Sequence, residues 1–141
     1  MPPESVLARP VLLVDTSVWI EVFRRPSRIR LEPADLEEMT TCLPIVQEVL
    51  QGFTDDRAYR IARDALFALP MVESPLGHEV FEDAVGLYRA ARRAGVAIRS
   101  SVDCLIAACA IRRGLTVLHR DRDFDELAHV SPLRAREAPL G

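Results

Sequence analysis

Short continuous apolar runs alternate with longer amphipathic segments along this chain. Residues 11–15 (VLLVD) are apolar until the last position, and residues 115–119 (LTVLH) have a similar pattern. Runs of this length that end in polar residues are typical of buried parallel strands. The segments between them have the 3.6-residue period of helices. Helices that alternate with apolar strands predict an α/β fold with parallel strand pairing.

The remaining elements follow from periodicity and helix-ending residues. A helix at 16–24 is followed by a basic loop at 25–33, a helix and short strand within 34–43, a helix opened by Pro44, helices at 55–69, 78–94 and 101–113, a brief strand at Met71 and Val72, and a short helix at 124–128. Gly95 and Gly114 mark two helix ends. The predicted apolar faces are Val18, Trp19, Val22 and Phe23; Ala58, Ile61, Ala62, Ala65, Leu66 and Leu69; and Val80, Phe81, Ala84, Val85, Tyr88 and Ala91.

Length and composition set the class of protein. At 141 residues, with 49% hydrophobic and 28% charged residues, the chain is expected to form a single globular domain over 1–141. Its apolar runs are too short to span a membrane, and its first residues lack a signal-peptide pattern, so we expect a cytoplasmic protein. Cys42, Cys104 and Cys109 show no zinc-binding spacing and are interpreted as buried apolar residues.

The charged residues are unusual in type rather than in balance. The net charge is -3, all 18 basic residues are arginine, and lysine is absent. High-GC coding can explain this bias. Its chemical consequence is that any mechanism requiring a lysine is excluded, including the P-loop lysine and Schiff-base chemistry.

Five acidic residues stand where acids are costly, at the ends of apolar runs or early in helices. They are Asp15, Glu48, Asp103, Asp121 and Asp123. A carboxylate at the edge of an apolar core needs a partner, and no arginine occurs at a matching spacing. Because ligands of open α/β sheets bind outside the carboxyl ends of strands, these acids are expected to converge there. Converging carboxylates predict a divalent metal site for phosphoryl transfer.

Each acid also has a purely structural interpretation. Asp15 can cap the helix that begins at Thr16, and Asp103 can form a capping box with Ser100. Glu48 suits the first part of a helix, and Asp121 or Asp123 can cap the short helix that follows. Helix capping explains each acid alone, but it does not explain why all of them are expected at one end of the sheet.

Four ordered motifs resemble those of PIN-domain ribonucleases, and most closely the VapC toxins of type II toxin–antitoxin systems. The motifs are VDTSVWIEVF, PIVQEVLQGF, SVDCLIAACAIRRG and VLHRDRDFDELA, and the resemblance covers about residues 11–130. It implies a PIN-like three-layer α/β/α fold with a small central parallel β-sheet. It also implies Mg²⁺- or Mn²⁺-dependent endonucleolytic cleavage of RNA.

The resemblance assigns roles to individual residues. Asp15, Glu48, Asp103 and Asp121 match the catalytic acidic quartet of the family, and Asp123 is a possible fifth metal ligand. We expect Asp15 and Asp103 to be the principal ligands, with Glu48 and Asp121 holding further ligands or helping to deprotonate the nucleophile. We also expect Asp121 to matter more than Asp123.

Supporting roles are predicted for neighbouring residues. Thr16 and Ser17 are expected to hydrogen-bond the ligating carboxylates. His119 stands where relatives often carry a hydroxyl or amide residue, and its role is left open. Arginines at 24–30, 89–93 and 112–113 are either solvated surface residues or RNA contacts.

The resemblance further implies partners, namely an RNA substrate, a cognate VapB-like antitoxin and a second copy of the chain in a homodimer. The predicted antitoxin surface is the stripe formed by Val18, Trp19, Val22 and Phe23. The alternative is that these residues are buried in the protein's own core. The main alternative function is a catalytically inactive PIN-like module that binds RNA or protein. A phosphatase is disfavoured because lysine is absent and Ser17 occupies the position of a second acid.

Overall fold

The computed structural model describes residues 11–141, and its centre is a parallel sheet. The strands are β1 (Leu12–Val14), β2 (Met39–Thr40), β3 (Thr116–His119) and β4 (Arg134–Glu137), in the order β2-β1-β3-β4. Each neighbouring pair is parallel. Helices flank this small sheet, which confirms the predicted α/β/α architecture.

The helices lie close to their predicted positions. They are α1 (Thr16–Phe23), α2 (Pro33–Glu37), α3 (Leu43–Leu50), α4 (Asp56–Phe67), α5 (His78–Arg93), α6 (Ser101–Arg113) and α7 (Asp123–His129). Pro44 lies in the first turn of α3, where its missing N–H costs no helical hydrogen bond. Gly114 ends α6 in the left-handed conformation, with φ of 66°.

One strand was not predicted from the sequence. Residues 134–137 (RARE) form β4 at the edge of the sheet, where two arginines and a glutamate leave no apolar run to recognise. The predicted strand at Met71 is reduced to a single parallel bridge with Thr41. Edge strands tolerate charged side chains because one side of the strand faces solvent.

The core is built around β1, β3 and α6. Leu13, Val14 and Val117 are fully buried in the middle of the sheet, and Ile106 and Ala107 of α6 are equally buried. This environment explains why the α6 sequence CLIAACA is apolar on nearly every side. Within residues 11–141, no helix is both long enough and apolar enough to cross a membrane.

Two predicted apolar faces are partly wrong. On α5, the buried row is Val80, Ala84, Leu87 and Ala91, whereas Phe81, Val85 and Tyr88 are exposed by 49%, 59% and 37%. On α4, Ala62 and Leu66 are buried, but Ile61 and Ala65 are exposed. In each case the helical period is right, but the predicted face merged two neighbouring rows, only one of which meets the core.

Candidate active site

The topology of the sheet brings the predicted acidic residues toward the carboxyl ends of its strands. Asp15 directly follows β1, and its backbone N–H donates to the carbonyl of Leu118 in β3 at 2.9 Å. The hydroxyl of Ser17 accepts the backbone N–H of Arg120, just after β3, at 2.8 Å. These bonds join the carboxyl ends of the two central strands, the position where α/β sheets bind ligands.

Three carboxylates form the densest group at this end of the sheet. One oxygen from each of Asp103, Asp121 and Asp123 lies within 4.8 Å of the others. Asp103 comes from the first turn of α6 and Asp121 from the turn between β3 and α7, whereas Asp123 is the first residue of α7. Asp103 and Asp123 are buried and Asp121 is half-buried. The structure therefore brings together acids that are about 20 residues apart in sequence.

Asp15 and Glu48 lie outside this close group but face the same region. The charges of both raise the pKa of Asp103, and Glu48 also raises the pKa of Asp15. Asp15 Oδ2 accepts hydrogen bonds from the Ser17 backbone at 3.0 Å and the Ser17 hydroxyl at 2.6 Å. Thr16 Oγ1 donates to Glu48 Oε1 at 2.8 Å. The hydrogen bonds predicted for Thr16 and Ser17 are therefore present.

The electrostatics of the group follow from burial and mutual repulsion. Burial raises the pKa of Asp103 to about 8, with further contributions from the charges of Asp15, Asp121, Asp123 and Glu48. Burial also raises the pKa of Asp15, although its bonds to Ser17 oppose this effect. Without a cation, the environment therefore disfavours the ionised forms of Asp15 and Asp103.

Two buried carboxylate oxygens of this site have no hydrogen-bond partner among the described residues. They are Asp15 Oδ1 and Asp103 Oδ2. An unpartnered buried oxygen is costly, and it is rare in proteins unless a water or ion satisfies it. Oxygen ligands are those that Mg²⁺ and Mn²⁺ prefer, so the residues present fit a hard divalent cation.

Arg99 is a member of the site that sequence reasoning missed. Its Nη2 donates to Asp121 Oδ1 at 2.9 Å, and its Nε lies 3.4 Å from Asp123 Oδ2. Its backbone N–H also donates to Asp123 Oδ2, at 3.1 Å. The expectation that the acids lack an arginine partner is therefore wrong. Arg99 precedes Asp121 by 22 residues, and only the packing of α6 against the sheet brings the two together.

His119 is buried beneath the Asp121 turn. Its Nδ1 accepts the backbone N–H of Asp121 at 3.1 Å, and its ring packs against Phe124 with centroids 5.4 Å apart. Since Nδ1 accepts a hydrogen bond, we assign the proton of the neutral ring to Nε2, which lies 3.2 Å from Asp125 Oδ1. This contact lacks the alignment of a hydrogen bond. His119 thus supports the turn that carries Asp121.

The capping interpretations hold for some acids and not for others. Asp15 is the N-cap of α1 as well as a member of the site. Ser100 precedes α6 but makes no side-chain cap bond, so the predicted capping box with Asp103 is absent. Asp121, rather than Asp123, supports the start of α7, because its Oδ1 accepts the Asp123 N–H at 3.0 Å. Capping therefore leaves the burial of Asp103 unexplained.

Several other predicted features have structural roles. The three cysteines are free and buried, as interpreted from the sequence. Arg112 and Arg113 both bind Glu73, which holds the end of α6 to the loop between α4 and α5 and reduces their availability for RNA. On α1, Val18 and Trp19 belong to the core, so only Val22 and Phe23 of the predicted partner stripe are partly exposed.

Comparison with protein families agrees with this architecture. The family model described as the PIN domain matches residues 12–130. The chain is 40% identical over 131 residues to "Ribonuclease VapC11" of Mycobacterium tuberculosis, which covers 89% of this chain and 97% of that protein. It is 32% identical over 120 residues to "Ribonuclease VapC51" of the same organism, covering 84% of this chain and 86% of that protein.

Solved structures show the same fold at lower sequence identity. The DNA-bound VapBC structure from Salmonella typhimurium matches with a TM-score of 0.72 and 18% identity, covering 91% of this chain and 98% of that one. VapBC-5 from M. tuberculosis, described as a member of the VapBC family of toxin-antitoxin systems, matches with a TM-score of 0.67 and 19% identity. That match covers 92% of this chain and 100% of the other.

Proposed function

The chain belongs to the PIN-domain family and, within it, to the VapC ribonucleases, and on this basis we propose that it is a metal-dependent endoribonuclease acting as the toxin of a type II toxin–antitoxin system. Its substrate is RNA, and its chemistry is hydrolysis of a phosphodiester bond. Its site of action is the cytoplasm, where cellular RNA is found.

The observation that carries this proposal is the set of buried carboxylates with unsatisfied oxygens. Asp103 is repelled by four neighbouring acids, and Asp15 Oδ1 and Asp103 Oδ2 lack partners among the described residues. A binding module without catalysis gains nothing from this repulsion, which destabilises the fold. At a site that holds Mg²⁺ or Mn²⁺, the clustered carboxylates have a purpose, because the cation satisfies their oxygens and neutralises their charge.

We assign Asp15, Asp103 and the Asp121/Asp123 pair as the residues that would hold the cation, with Glu48 beside them. A divalent cation bound there supplies charge neutralisation on the phosphate oxygens and lowers the pKa of the attacking water. Glu48 is the proposed proton acceptor, because Thr16 fixes Oε1 and leaves Oε2 for the water. Ser17 holds Asp15 in a single orientation through two hydrogen bonds to Oδ2.

The decisive experiment is RNA cleavage with and without metal. Purified protein should cleave single-stranded RNA with Mg²⁺ or Mn²⁺ and stop in EDTA. Asp15→Asn and Asp103→Asn should each remove cleavage while the protein remains folded, because both changes reduce repulsion in the metal-free site. The exposed acid Asp64, on α4, provides the control variant Asp64→Asn, which should cleave normally. Cleavage that continues in EDTA, or in either site variant, would contradict the metal mechanism. Folded, metal-replete protein that never cleaves RNA would favour the binding-module alternative.

We further propose a VapB-like antitoxin as the partner. An apolar groove of about 220 Å³ lies between the end of α1 and the start of α4, with Phe23, Phe53 and Ile61 among its lining residues. Phe23 and Phe53 pack edge to face at 5.8 Å, and two arginines, Arg25 and Arg57, line the groove beside a single acid, Asp55. Such a groove suits an amphipathic segment with apolar anchors and acidic flanks. We propose this groove instead of the predicted stripe, because Val18 and Trp19 are buried in the core.

We also propose a two-fold homodimer that uses α5. Phe81, Val85 and Tyr88 are spaced three and four residues apart, so they form one exposed apolar row beside the buried one. Exposed apolar rows of this kind are common at subunit interfaces.

A further inference from the structure

Arg99 presents its side chain to the acidic site from the solvent side. The side chain is 64% exposed, yet its guanidinium reaches two separate carboxylates, those of Asp121 and Asp123. Both of these acids belong to the group whose oxygens lie within 4.8 Å of one another. The positive charge of Arg99 therefore occupies the edge of the site proposed for the cation.

The side chain of Arg99 is not required to anchor its own segment. The backbone N–H of Arg99 already donates to Asp123 Oδ2 at 3.1 Å, and this bond survives any change of side chain. The Arg99 guanidinium binds two carboxylates, so it competes with any cation that binds the same oxygens. Its exposure leaves it free to turn toward solvent once those oxygens are engaged elsewhere.

A cavity next to Arg99 offers room for a phosphate group. It has a volume of about 480 Å³. Three arginines line it, together with Ser17, His119 and three acids: Arg99, Arg120 and Arg122, and Asp121, Asp125 and Glu137. Arg120 is held by Glu137 and by the Ala138 carbonyl. Arg122 makes no ion pair with any residue in the range 11–141, so it does not compete for the site acids. Arg99 is thus the arginine of this cavity that links it to Asp121 and Asp123.

We propose that Arg99 binds an RNA phosphate in this cavity, and that it exchanges Asp121 and Asp123 for the phosphate when the site takes up a divalent cation. The inference rests on the proposed function, since it concerns the same site. In the metal-free protein Arg99 neutralises the charge of the carboxylates, and in the enzyme with metal and RNA bound it neutralises the charge of an RNA phosphate. Because guanidinium forms paired hydrogen bonds with phosphate as well as with carboxylate, both partners suit it.

This exchange couples the binding of RNA to the binding of metal. RNA that engages Arg99 frees Asp121 and Asp123 for the cation, and a bound cation frees Arg99 for RNA. By linkage, each ligand must raise the affinity for the other by the same factor. Removing the arginine side chain should abolish the part of this coupling that passes through Arg99.

The test compares Mn²⁺ binding and RNA cleavage in wild type, Arg99→Ala, Arg99→Gln and Arg122→Ala. In RNA-free protein, Arg99→Ala and Arg99→Gln should bind Mn²⁺ about 3- to 10-fold more tightly, because a competing cation is gone. Arg122→Ala removes the same charge from the same cavity but no ion pair, so its Mn²⁺ affinity should change by less than about twofold. Isothermal titration calorimetry measures these affinities independently of cleavage.

The same variants are then assayed on a labelled single-stranded RNA of random sequence. For Arg99→Ala and Arg99→Gln we expect KM to rise about tenfold, and the dependence of log(kcat/KM) on log salt to become shallower by about 0.7, the contribution of one phosphate contact. Arg99→Gln carries the test if Arg99→Ala does not fold.

Unchanged or weaker Mn²⁺ binding in the Arg99 variants would overturn the inference. An equal gain in Mn²⁺ affinity for Arg122→Ala, or an unchanged salt slope, would also overturn it. In all these cases a wild-type enzyme that binds Mn²⁺ and cleaves RNA leaves the proposed function intact. Wild-type protein that does neither would overturn both.

Discussion

The Thr16 hydroxyl donates a 2.8 Å hydrogen bond to Glu48 Oε1 and thereby joins the first turn of α1 to α3. Thr16 and Glu48 are 32 residues apart, and neither helix alone determines where the Glu48 side chain points. Since Glu48 is only half-buried, this bond is the contact that fixes its carboxylate beside Asp15. A residue that orients an acid in this way influences the reaction without touching the substrate.

Replacing Thr16 with valine tests this positioning role. Thr16→Val keeps the shape of the side chain and removes the donor, so we expect kcat/KM for RNA cleavage to fall about 10- to 100-fold. Thr16→Ser keeps the hydroxyl and should retain most of the activity. Thermal unfolding of the three proteins provides the control for stability. Equal activity in Thr16→Val and wild type would mean that Glu48 needs no such support.

The stability of the metal-free protein should depend on pH through Asp103. The pKa of Asp103 is raised from 3.8 to about 8 in the folded protein, mainly by burial. Between these values the folded state holds a proton that the unfolded chain releases, so the free energy of unfolding should fall as pH rises from about 4 to about 8. In EDTA, Asp103→Asn should show a smaller fall and should be more stable than wild type near pH 8.

Urea unfolding of EDTA-treated protein at several pH values measures this effect. Asp64→Asn changes an exposed acid with the same charge and should leave the pH dependence unaltered. Added Mn²⁺ should stabilise wild type more as pH rises, since the cation competes with the proton. Stability of Asp103→Asn that follows wild type at every pH would contradict a strongly raised pKa.

The sequence predicted the central fold and led us to expect five acidic residues near the carboxyl ends of its strands, but it did not predict the contacts made by Arg99. Asp15 and Asp121 follow apolar strands, so the rule for the carboxyl ends of parallel strands located them. Arg99 lies in the loop before α6, and its meeting with Asp121 depends on how α6 packs. No periodicity or local spacing carries this information. The polar strand β4 escaped prediction for the related reason that an exposed edge has no hydrophobic pattern.

The two acids that follow β3 should differ in what they contribute. Asp121 is 28% exposed at its side chain, whereas Asp123 is 5% exposed and accepts the Arg99 backbone N–H. We expect Asp121→Ala to weaken Mn²⁺ binding more than Asp123→Ala, and Asp123→Ala to lower the melting temperature more, because it leaves the Arg99 N–H without its acceptor. Calorimetric titration beside thermal unfolding compares the two variants. A larger loss of Mn²⁺ affinity in Asp123→Ala would reverse the assignment.

The exposed row on α5 leads to a prediction about assembly. If Phe81, Val85 and Tyr88 form the proposed dimer contact, Val85→Arg should raise the dimer dissociation constant at least about tenfold, because it places a charge in an apolar interface. Leu36→Arg, which changes an exposed leucine on α2, is the control and should not affect assembly. Sedimentation velocity at micromolar concentration separates monomer from dimer. Wild-type protein that is monomeric under these conditions would contradict the proposal.

The groove between α1 and α4 gives the last prediction, which concerns the antitoxin. Expression of the chain alone should arrest growth, and co-expression with its cognate VapB-like antitoxin should restore growth and yield a stable complex. Ile61 is 54% exposed, and none of the site acids lines the groove, so Ile61→Asp should keep its toxicity while losing rescue. The substitution opposes binding because it places a carboxylate where an apolar anchor with acidic flanks is expected. Leu36→Asp is the matched control, since it adds the same charge on α2 and should still be rescued. If Ile61→Asp is rescued as well as wild type, the antitoxin binds elsewhere. If intact, metal-replete wild-type protein is harmless, the toxin assignment fails, whereas a nuclease activity can remain.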